Sequence, residues 1–432
     1  MSEHNISYIN HEEWEKEVLR AKGGVVVDFY SSECPPCEAL ASKYESLAGI
    51  YGNDVKFIKV FRQENRDLAE SLGVKGSPTV LFYKDGAHTG DTLSGGIRRA
   101  DLERNIHALL PEERAQQLKA QEKPFTSEYD VMIIGAGPAG MTAAIYAAQA
   151  KLKTVLVDRG MPGGNVSITH QVSNYPGFVA PQPGYMLSHY MSEQAREAGA
   201  HFRQAVDITS VDLHKKALVV DGIETILAKK IILATGSSPR PLNIPGEVEY
   251  KGKGVSYCAT CDAKYYEGKH VVVIGGGNSA IEEALFIDKF TGKITVVHQF
   301  DQLQANKTSA EKALANPNIQ FMFSHEPRAF IAEGGTVNRV EVEDLKTGER
   351  KFIECDGVFV FIGMEPNLSL FSESFEKDQW GYIVVDDSMR TSIPDVFAAG
   401  DIIHKQYRQI TTAVADGTIA AMAAAKDLEA QA

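Results

Sequence analysis

Four of the five cysteines in this 432-residue chain fall into two pairs with two residues between them, Cys34/Cys37 and Cys258/Cys261. At that spacing two thiols can close and reopen a disulfide, or supply half of a zinc site. A shared zinc site is disfavoured. Four-cysteine sites draw both pairs from neighbouring turns, and these pairs lie more than 200 residues apart in different local patterns. No metal is expected. Structural disulfides are rare in a reducing cytosol, so both pairs read as redox centres. Cys355, in Phe352-Ile353-Glu354-Cys355-Asp356, is expected to be a structural thiol without chemistry.

Phosphate binding is the second chemistry the sequence suggests. The apolar run Tyr129–Ile134 leads into Gly135-Ala136-Gly137-Pro138-Ala139-Gly140, then a helical stretch and a second apolar run ending at Asp158. Glycines there allow a tight turn and bring a pyrophosphate close to a helix N-terminus, and Asp158 is placed to bind an adenosine ribose. The pattern recurs at His270–Ile274, followed by Gly275-Gly276-Gly277-Asn278-Ser279-Ala280, a helix to about Phe290, and a strand ending at His298. Two such units imply two dinucleotides, most economically a held flavin and an exchanging nicotinamide.

These residues need elements to position them. Val25–Tyr30 reads as a central strand interrupted by Asp28, and the residues after Cys34 read as helix with prolines in its first turn. Cys34 then sits at a helix N-terminus, where free N–H groups favour a thiolate, and Cys37 lies one turn later, in reach to resolve a mixed disulfide. Taken alone, this pair could still be a stray helix start or half a metal site. Residues 111–128 are polar, charged and bounded by Pro111 and Pro124, which predicts a solvated helix-or-coil tether. A net charge of −13 argues against a nucleic-acid surface. No run approaches the roughly 18 apolar residues of a membrane span. Met1–Asn5 lacks a basic-then-apolar leader, so no membrane association and a cytoplasmic location are expected.

The first 110 residues resemble thioredoxin. The resemblance implies that Asp28 is the buried acid, Cys34 the attacking thiol, Cys37 the resolving thiol, and Pro78 a cis-proline facing the disulfide. Glu33 and Pro35 depart from the usual pattern, and a negative charge at Glu33 would oppose thiolate formation. Residues 129–432 are similar to bacterial-type thioredoxin reductase. The shared stretches include Gly163-Gly164-Asn165, Asn174-Tyr175-Pro176-Gly177, Ala234-Thr235-Gly236, Tyr257-Cys258-Ala259-Thr260-Cys261-Asp262, Gly363–Asn367, Gly400-Asp401 and Tyr407-Arg408-Gln409.

The implied fold class is α/β: a thioredoxin fold over 1–110, a linker over 111–128, an FAD domain over 129–245 and 360–432, and an inserted nicotinamide-type domain over 246–359. FAD would be bound by Gly135, Gly137, Ala139, Gly140, Asp158, Gly164, Asn165, Asn174, Thr235, Gly236, Gly400, Asp401, Arg408, Gln409 and Ile410. The nicotinamide would be bound by Gly275, Gly277, Asn278, Ser279, Ala280 and His298. Cys261 would face the flavin, Cys258 would attack the incoming disulfide, and Asp262 would be its general acid, unless it is only a turn or cap residue. The family alternates the cysteines and the nicotinamide against the flavin by domain rotation.

One stretch breaks the pattern. NADPH-using members carry arginines after the strand-ending histidine, whereas here the run is His298-Gln299-Phe300-Asp301-Gln302-Leu303-Gln304, with Lys307 the nearest cation. A 2′-phosphate normally demands arginine, so NADH is expected over NADPH, with Asp301 a possible acid for the ribose. Reduced ferredoxin is the alternative donor. The layout is also similar to the flavoprotein subunit of alkyl hydroperoxide reductase, which makes a peroxiredoxin a candidate recipient besides other protein disulfides. A homodimer is expected. A flavin-holding thiol sensor without turnover is the rival from another class.

Overall fold

The computed structural model describes residues 5–430 apart from 33, 170, 171 and 173, and apart from the side chain of Cys261. The N-terminal sheet runs in the order β1-β3-β2-β4-β5, with β1 at Ile6–Ile9, β2 at Gly24–Tyr30, β3 at Val55–Phe61, β4 at Thr79–Lys84 and β5 at Ala87–Ser94. Side chains alternate across β2: Val25, Val27 and Phe29 pack with Trp14, Val18 and Ile58, while Val26 packs with Leu40, Tyr44 and Phe82 on the other face. Helices α1 (Pro35–Tyr51) and α3 (Arg99–Leu109) cover that second face, and α2 (Arg66–Ser71) follows β3.

The stretch expected to be a solvated tether is instead packed. Helix α4 (Glu112–Lys119) puts Ala115 and Leu118 at 3% exposure, Leu118 within the core under α1 and α3. Arg114 pairs with Asp54 through two 2.8 Å bonds, Lys119 with Glu103 at 2.7 Å, and buried Arg99 with both Glu103 and Glu122. The charges that suggested solvation are spent on this module, which leaves residues 120–124 between α4 and the next strand.

That strand, β6 (Phe125–Ile134), lies in a seven-stranded sheet. β7 (Thr154–Val157), β8 (His201–Arg203), β11 (Glu224–Leu233) and β22 (Val396–Ala398) join it in parallel, while β10 (Ala217–Val220) and β9 (Ile208–Asp212) form an antiparallel edge. Helices α5 (Pro138–Gln149), α6 (Gly184–Glu197) and α10 (Ile410–Glu429) pack on one face of this sheet. Gly417 lets α10 approach the first turn of α5, since a Cβ there would lie 2.1 Å from the Ala139 carbonyl oxygen.

A second parallel sheet, β13-β20-β14-β15-β16, carries the other glycine loop. Its strands are β13 (Val255–Ser256), β14 (His270–Ile274), β15 (Lys293–His298), β16 (Ile319–Phe323) and β20 (Gly357–Val360), with α7 (Ala259–Asp262), α8 (Asn278–Ile287) and α9 (Lys307–Leu314). An antiparallel sheet of β17 (His325–Glu333), β18 (Thr336–Asp344) and β19 (Arg350–Glu354) packs beside it. The chain passes between the two dinucleotide-type sheets twice, and the two passages pair as a ribbon of β12 (Ser237–Pro239) and β21 (Met364–Pro366). Among the described residues no helix is long and apolar enough to cross a membrane.

Candidate active site

Strand β2 ends just before the first cysteine pair, and Cys34 is the N-cap of α1. Its Sγ accepts from the Cys37 N–H at 3.3 Å and lies 3.4 Å from the Ser77 carbonyl oxygen. Cys34 and Cys37 form a disulfide, and the Ser77–Pro78 bond beside it is cis. Asp28 is 2% exposed, and its Oδ1 has no hydrogen-bond partner among the described residues. Burial pushes its carboxyl up to about 7, against the pull of the Lys59 ammonium. Glu33 lies outside the described residues.

The glycine loop after β6 opens a cavity of about 610 Å³. Gly135, Gly137, Ala139, Asp158, Gly164, Asn165, Asn174, Thr235, Gly236, Gly400, Asp401, Arg408, Gln409 and Ile410 all line it. Gly140 stands behind the wall: a Cβ there would fall 1.8 Å from the Gly135 carbonyl oxygen, so only glycine lets α5 start this close to the strand. Asp158 ties the loop to β7, accepting from Ala136 N–H at 2.6 Å and Gly160 N–H at 2.7 Å. Burial raises its carboxyl, and those two bonds oppose the rise.

Three buried polar atoms in this wall, Ser237 Oγ, Asp401 Oδ1 and Arg408 Nε, lack hydrogen-bond partners among the described residues, although the Lys405 ammonium faces that Asp401 oxygen. The Asp401 carboxyl is raised by burial, with Lys405 opposing at 3.5 Å. The Arg408 guanidinium lies over the Tyr382 ring at 3.9 Å. Buried polar groups normally find partners, so this wall fits a ligand with hydrogen-bonding edges. A phosphate-accepting glycine loop at one end and a stacked arginine at the other suit a flavin dinucleotide. Asn367 and Ser369 also line the cavity.

The second glycine loop opens a cavity of about 530 Å³ lined by Gly275, Gly277, Asn278, Ser279, Ala280 and His298. The His298 ring packs flat against the loop, so a Cβ on Gly276 would meet it at 2.5 Å. Its Nε2 is buried and has no hydrogen-bond partner among the described residues. Burial lowers the imidazole's pKa, and a backbone bond to Gln302 opposes this, so the ring is neutral near pH 7. A neutral ring nitrogen and an open helix N-terminus fit a dinucleotide.

Asp301 is exposed and is not part of the lining. Lys307 points to solvent beside Glu311. The structure brings in two cations that the sequence did not place here, Arg240 and Arg328. Arg240 comes from the strand-crossing ribbon, and Arg328 from β17, where Glu326 at 3.0 Å and Glu343 at 2.9 Å hold it. Neither is near His298 in sequence, so a motif search around that histidine could not find them.

Cys258 caps α7, with its Sγ 3.4 Å from Thr260 Oγ1 and its N–H donating to Ser256 Oγ at 3.1 Å. It is disulfide-bonded. The Cys261 side chain lies outside the described residues, and Asp262 closes the same helix. The preceding Tyr257 donates to Glu247 at 2.5 Å. Glu247 is 2% exposed and also accepts from the N–H groups of Leu242 and Asn243. This carboxylate fastens one connection between the two sheets to the residue beside Cys258. Cys355 is free and buried, which pushes its thiol up to about 12.

Residues 129–417 match the family described as pyridine nucleotide-disulphide oxidoreductase, and residues 5–108 match the family described as thioredoxin. A thioredoxin reductase of Peptoclostridium acidaminophilum is 46% identical over 310 residues, which is 70% of this chain and 98% of that protein. The solved structure of Lactococcus lactis thioredoxin reductase in its FR conformation has a TM-score of 0.62 and 39% identity, covering 70% of this chain and 99% of that one. The thioredoxin reductase of T. acidophilum gives 0.60 and 34% with the same coverage.

Proposed function

Because this chain belongs to the pyridine nucleotide-disulphide oxidoreductase family, as a thioredoxin reductase-like disulfide oxidoreductase with an added thioredoxin domain, we propose that it relays electrons from NADH to protein disulfides through its own two cysteine pairs. The observation that carries this reading is the first cavity. Fourteen of the fifteen residues expected to hold FAD surround it, with Ser237 and Arg408 presenting buried polar atoms that lack hydrogen-bond partners among the described residues.

When bound, FAD would accept an electron pair from the nicotinamide and supply it to a disulfide. The chain's residues do the rest. Gly135, Gly137 and the α5 N-terminus cradle the pyrophosphate, Asp158 and Asp401 bind sugar hydroxyls, and Arg408 with Gln409 and Ile410 borders the ring. Gly275 and Gly277, with the α8 N-terminus, hold the nicotinamide dinucleotide, and neutral His298 offers it a ring nitrogen from the end of β15.

Once Cys258 and Cys261 are thiols, the Cys258 thiolate attacks Cys34 Sγ, forming a mixed disulfide while the bond to Cys37 breaks. Asp28, which holds its proton near neutral pH, protonates the leaving Cys37 sulfur. Cys261 then attacks Cys258, re-forming that disulfide and releasing Cys34 as a thiolate. Asp262 would protonate the departing Cys34 thiolate, and the two protons given up by Cys258 and Cys261 restore Asp28 and Asp262 through solvent, so two electrons and two protons cross in all. The reduced Cys34/Cys37 pair repeats the exchange with an external protein disulfide, for which a peroxiredoxin is a suitable recipient. Rotation about the β12–β21 ribbon would present the cysteines and the nicotinamide to the flavin in turn. A cytoplasmic homodimer completes the proposal, and exposed Tyr185, Tyr190 and Met422 on α6 and α10 offer apolar surface for it.

A second reading, NADPH as donor, draws on Arg240 and Arg328 at the second cavity. Anaerobic stopped-flow reduction of the flavin separates the donors. NADH should bleach it at least tenfold faster than NADPH. A reversed ratio would make NADPH the donor. A flavin that stays oxidised with both nucleotides but bleaches with reduced ferredoxin would overturn the nicotinamide reading. Purified protein that is colourless and cannot be reconstituted with FAD would end the flavoprotein reading altogether.

A further inference from the structure

Lys43, on the outer face of α1, has no part in the proposed relay, yet it is one of the most buried lysines of the chain, at 7% exposure. An ammonium group has three N–H donors, and here all three are used. One goes to Ile97 O of its own module at 3.0 Å. The others cross to the flavin-type module, reaching Gln204 O at 3.0 Å and Ala205 O at 2.5 Å. Burying a cation is costly unless every donor is satisfied, so this contact is built for a lysine.

The surroundings extend the contact into a surface. Gly96 packs so closely that a Cβ on it would lie 3.6 Å from Ala205 Cβ and 3.2 Å from Met161 Cγ. Arg98 pairs with Asp207 at 3.3 Å. Gln204 Nε2 reaches the carbonyl oxygen of Pro35, the residue after Cys34, at 3.5 Å. The dithiol end of α1 is therefore turned onto the flavin-type module, at the loop following β8. Burial lowers the Lys43 ammonium to about 8, with Asp221 and Asp207 opposing and Arg99 adding to the fall.

We propose that Met161 and Gln204–Asp207 form a seat on which the thioredoxin-like module of the same chain parks, with Lys43 as the latch, and that the module leaves this seat to exchange electrons with Cys258. The second half rests on the relay proposed above; the seat itself does not.

The test is a crosslink. A 3.6 Å Cβ separation lies within the range that a disulfide spans, so the double variant G96C/A205C should close a bond within one chain on air oxidation, assigned by peptide mass mapping. The locked protein should take electrons from its donor to Cys258 at the wild-type rate and lose at least 90% of donor-driven reduction of Cys34–Cys37. No crosslink, or one joining two chains, would overturn the seat. A crosslinked protein that still reduces Cys34–Cys37 at the wild-type rate would overturn the parking role.

Two further variants release the module from opposite sides, K43M and A205W. Each should enlarge the radius of gyration in X-ray scattering and speed Cys34–Cys37 reduction at least threefold, without changing flavin reduction. Wild-type scattering and rate in both would count against the latch. If wild-type protein never reduces Cys34–Cys37, the relay reading fails, while crosslinking and scattering still report on the seat.

Discussion

Burial sets the protonation of Asp28, and its consequence for stability has a definite sign. The carboxyl keeps its proton to about pH 7 when folded but only to about 4 when unfolded. Between those values the folded state binds more protons, so stability falls as pH rises through the window. Asp28→Asn should therefore stabilise the N-terminal module at pH 8.5, and the gain should shrink by roughly 3 kcal/mol on going to pH 4.5. Denaturant unfolding followed by Trp14 fluorescence, in a Trp380→Phe background that leaves one tryptophan, measures this. A gain independent of pH would mean that the carboxyl does not hold its proton. Gly140→Ala is the sharper residue test of the flavin cavity, because a methyl 1.8 Å from a backbone oxygen has nowhere to go. Purified G140A should carry little or no flavin absorbance. Both residues were legible in the sequence, since an acid inside an apolar run and a glycine in a spaced motif are local signals. Arg240, Arg328 and Glu247 were not, because they reach their sites from segments whose local sequence reads as ordinary surface or turn.

Elements built on periodicity and glycine loops were readable in the same way. Val25–Tyr30, Tyr129–Ile134 and His270–Ile274 read as strands and are strands of the three main sheets. Helix α4 shows where that reading fails. Eight residues with two apolar positions look solvated in isolation, and only the surface of α1 and α3 decides that Ala115 and Leu118 are covered. Leu118→Ala should cost the N-terminal module about 2–4 kcal/mol, measured by the same Trp14 signal. An exposed, freely tethered segment would show almost no loss. On the second sheet, Gly276→Ala must displace the His298 ring. It should weaken nicotinamide binding at least tenfold, read as the donor concentration for half-maximal flavin reduction, while flavin content stays unchanged.

At the scale of the whole chain, α4 and the Glu122–Arg99 pair hold the connection to the first module as far as residue 122, which leaves residues 123–124 before β6. So short a connection keeps one dithiol near the other at high effective concentration. Reduction of Cys34–Cys37 should accordingly stay first order across a hundredfold dilution of the protein, and a rate that falls with dilution would point to exchange between separate molecules. Lys43 could not have been singled out from sequence, as a lysine on an amphipathic helix ordinarily faces water. The fifth sulfur bears on the same economy. With its thiol pushed up to about 12, Cys355 is ionised in only about one molecule in ten thousand at pH 8. Iodoacetamide should thus label four cysteines of the fully reduced native protein and the fifth only after unfolding. Electron traffic through this chain is kept to two lanes because the remaining thiol is chemically silent, and its silence doubles as an internal alarm for loss of structure.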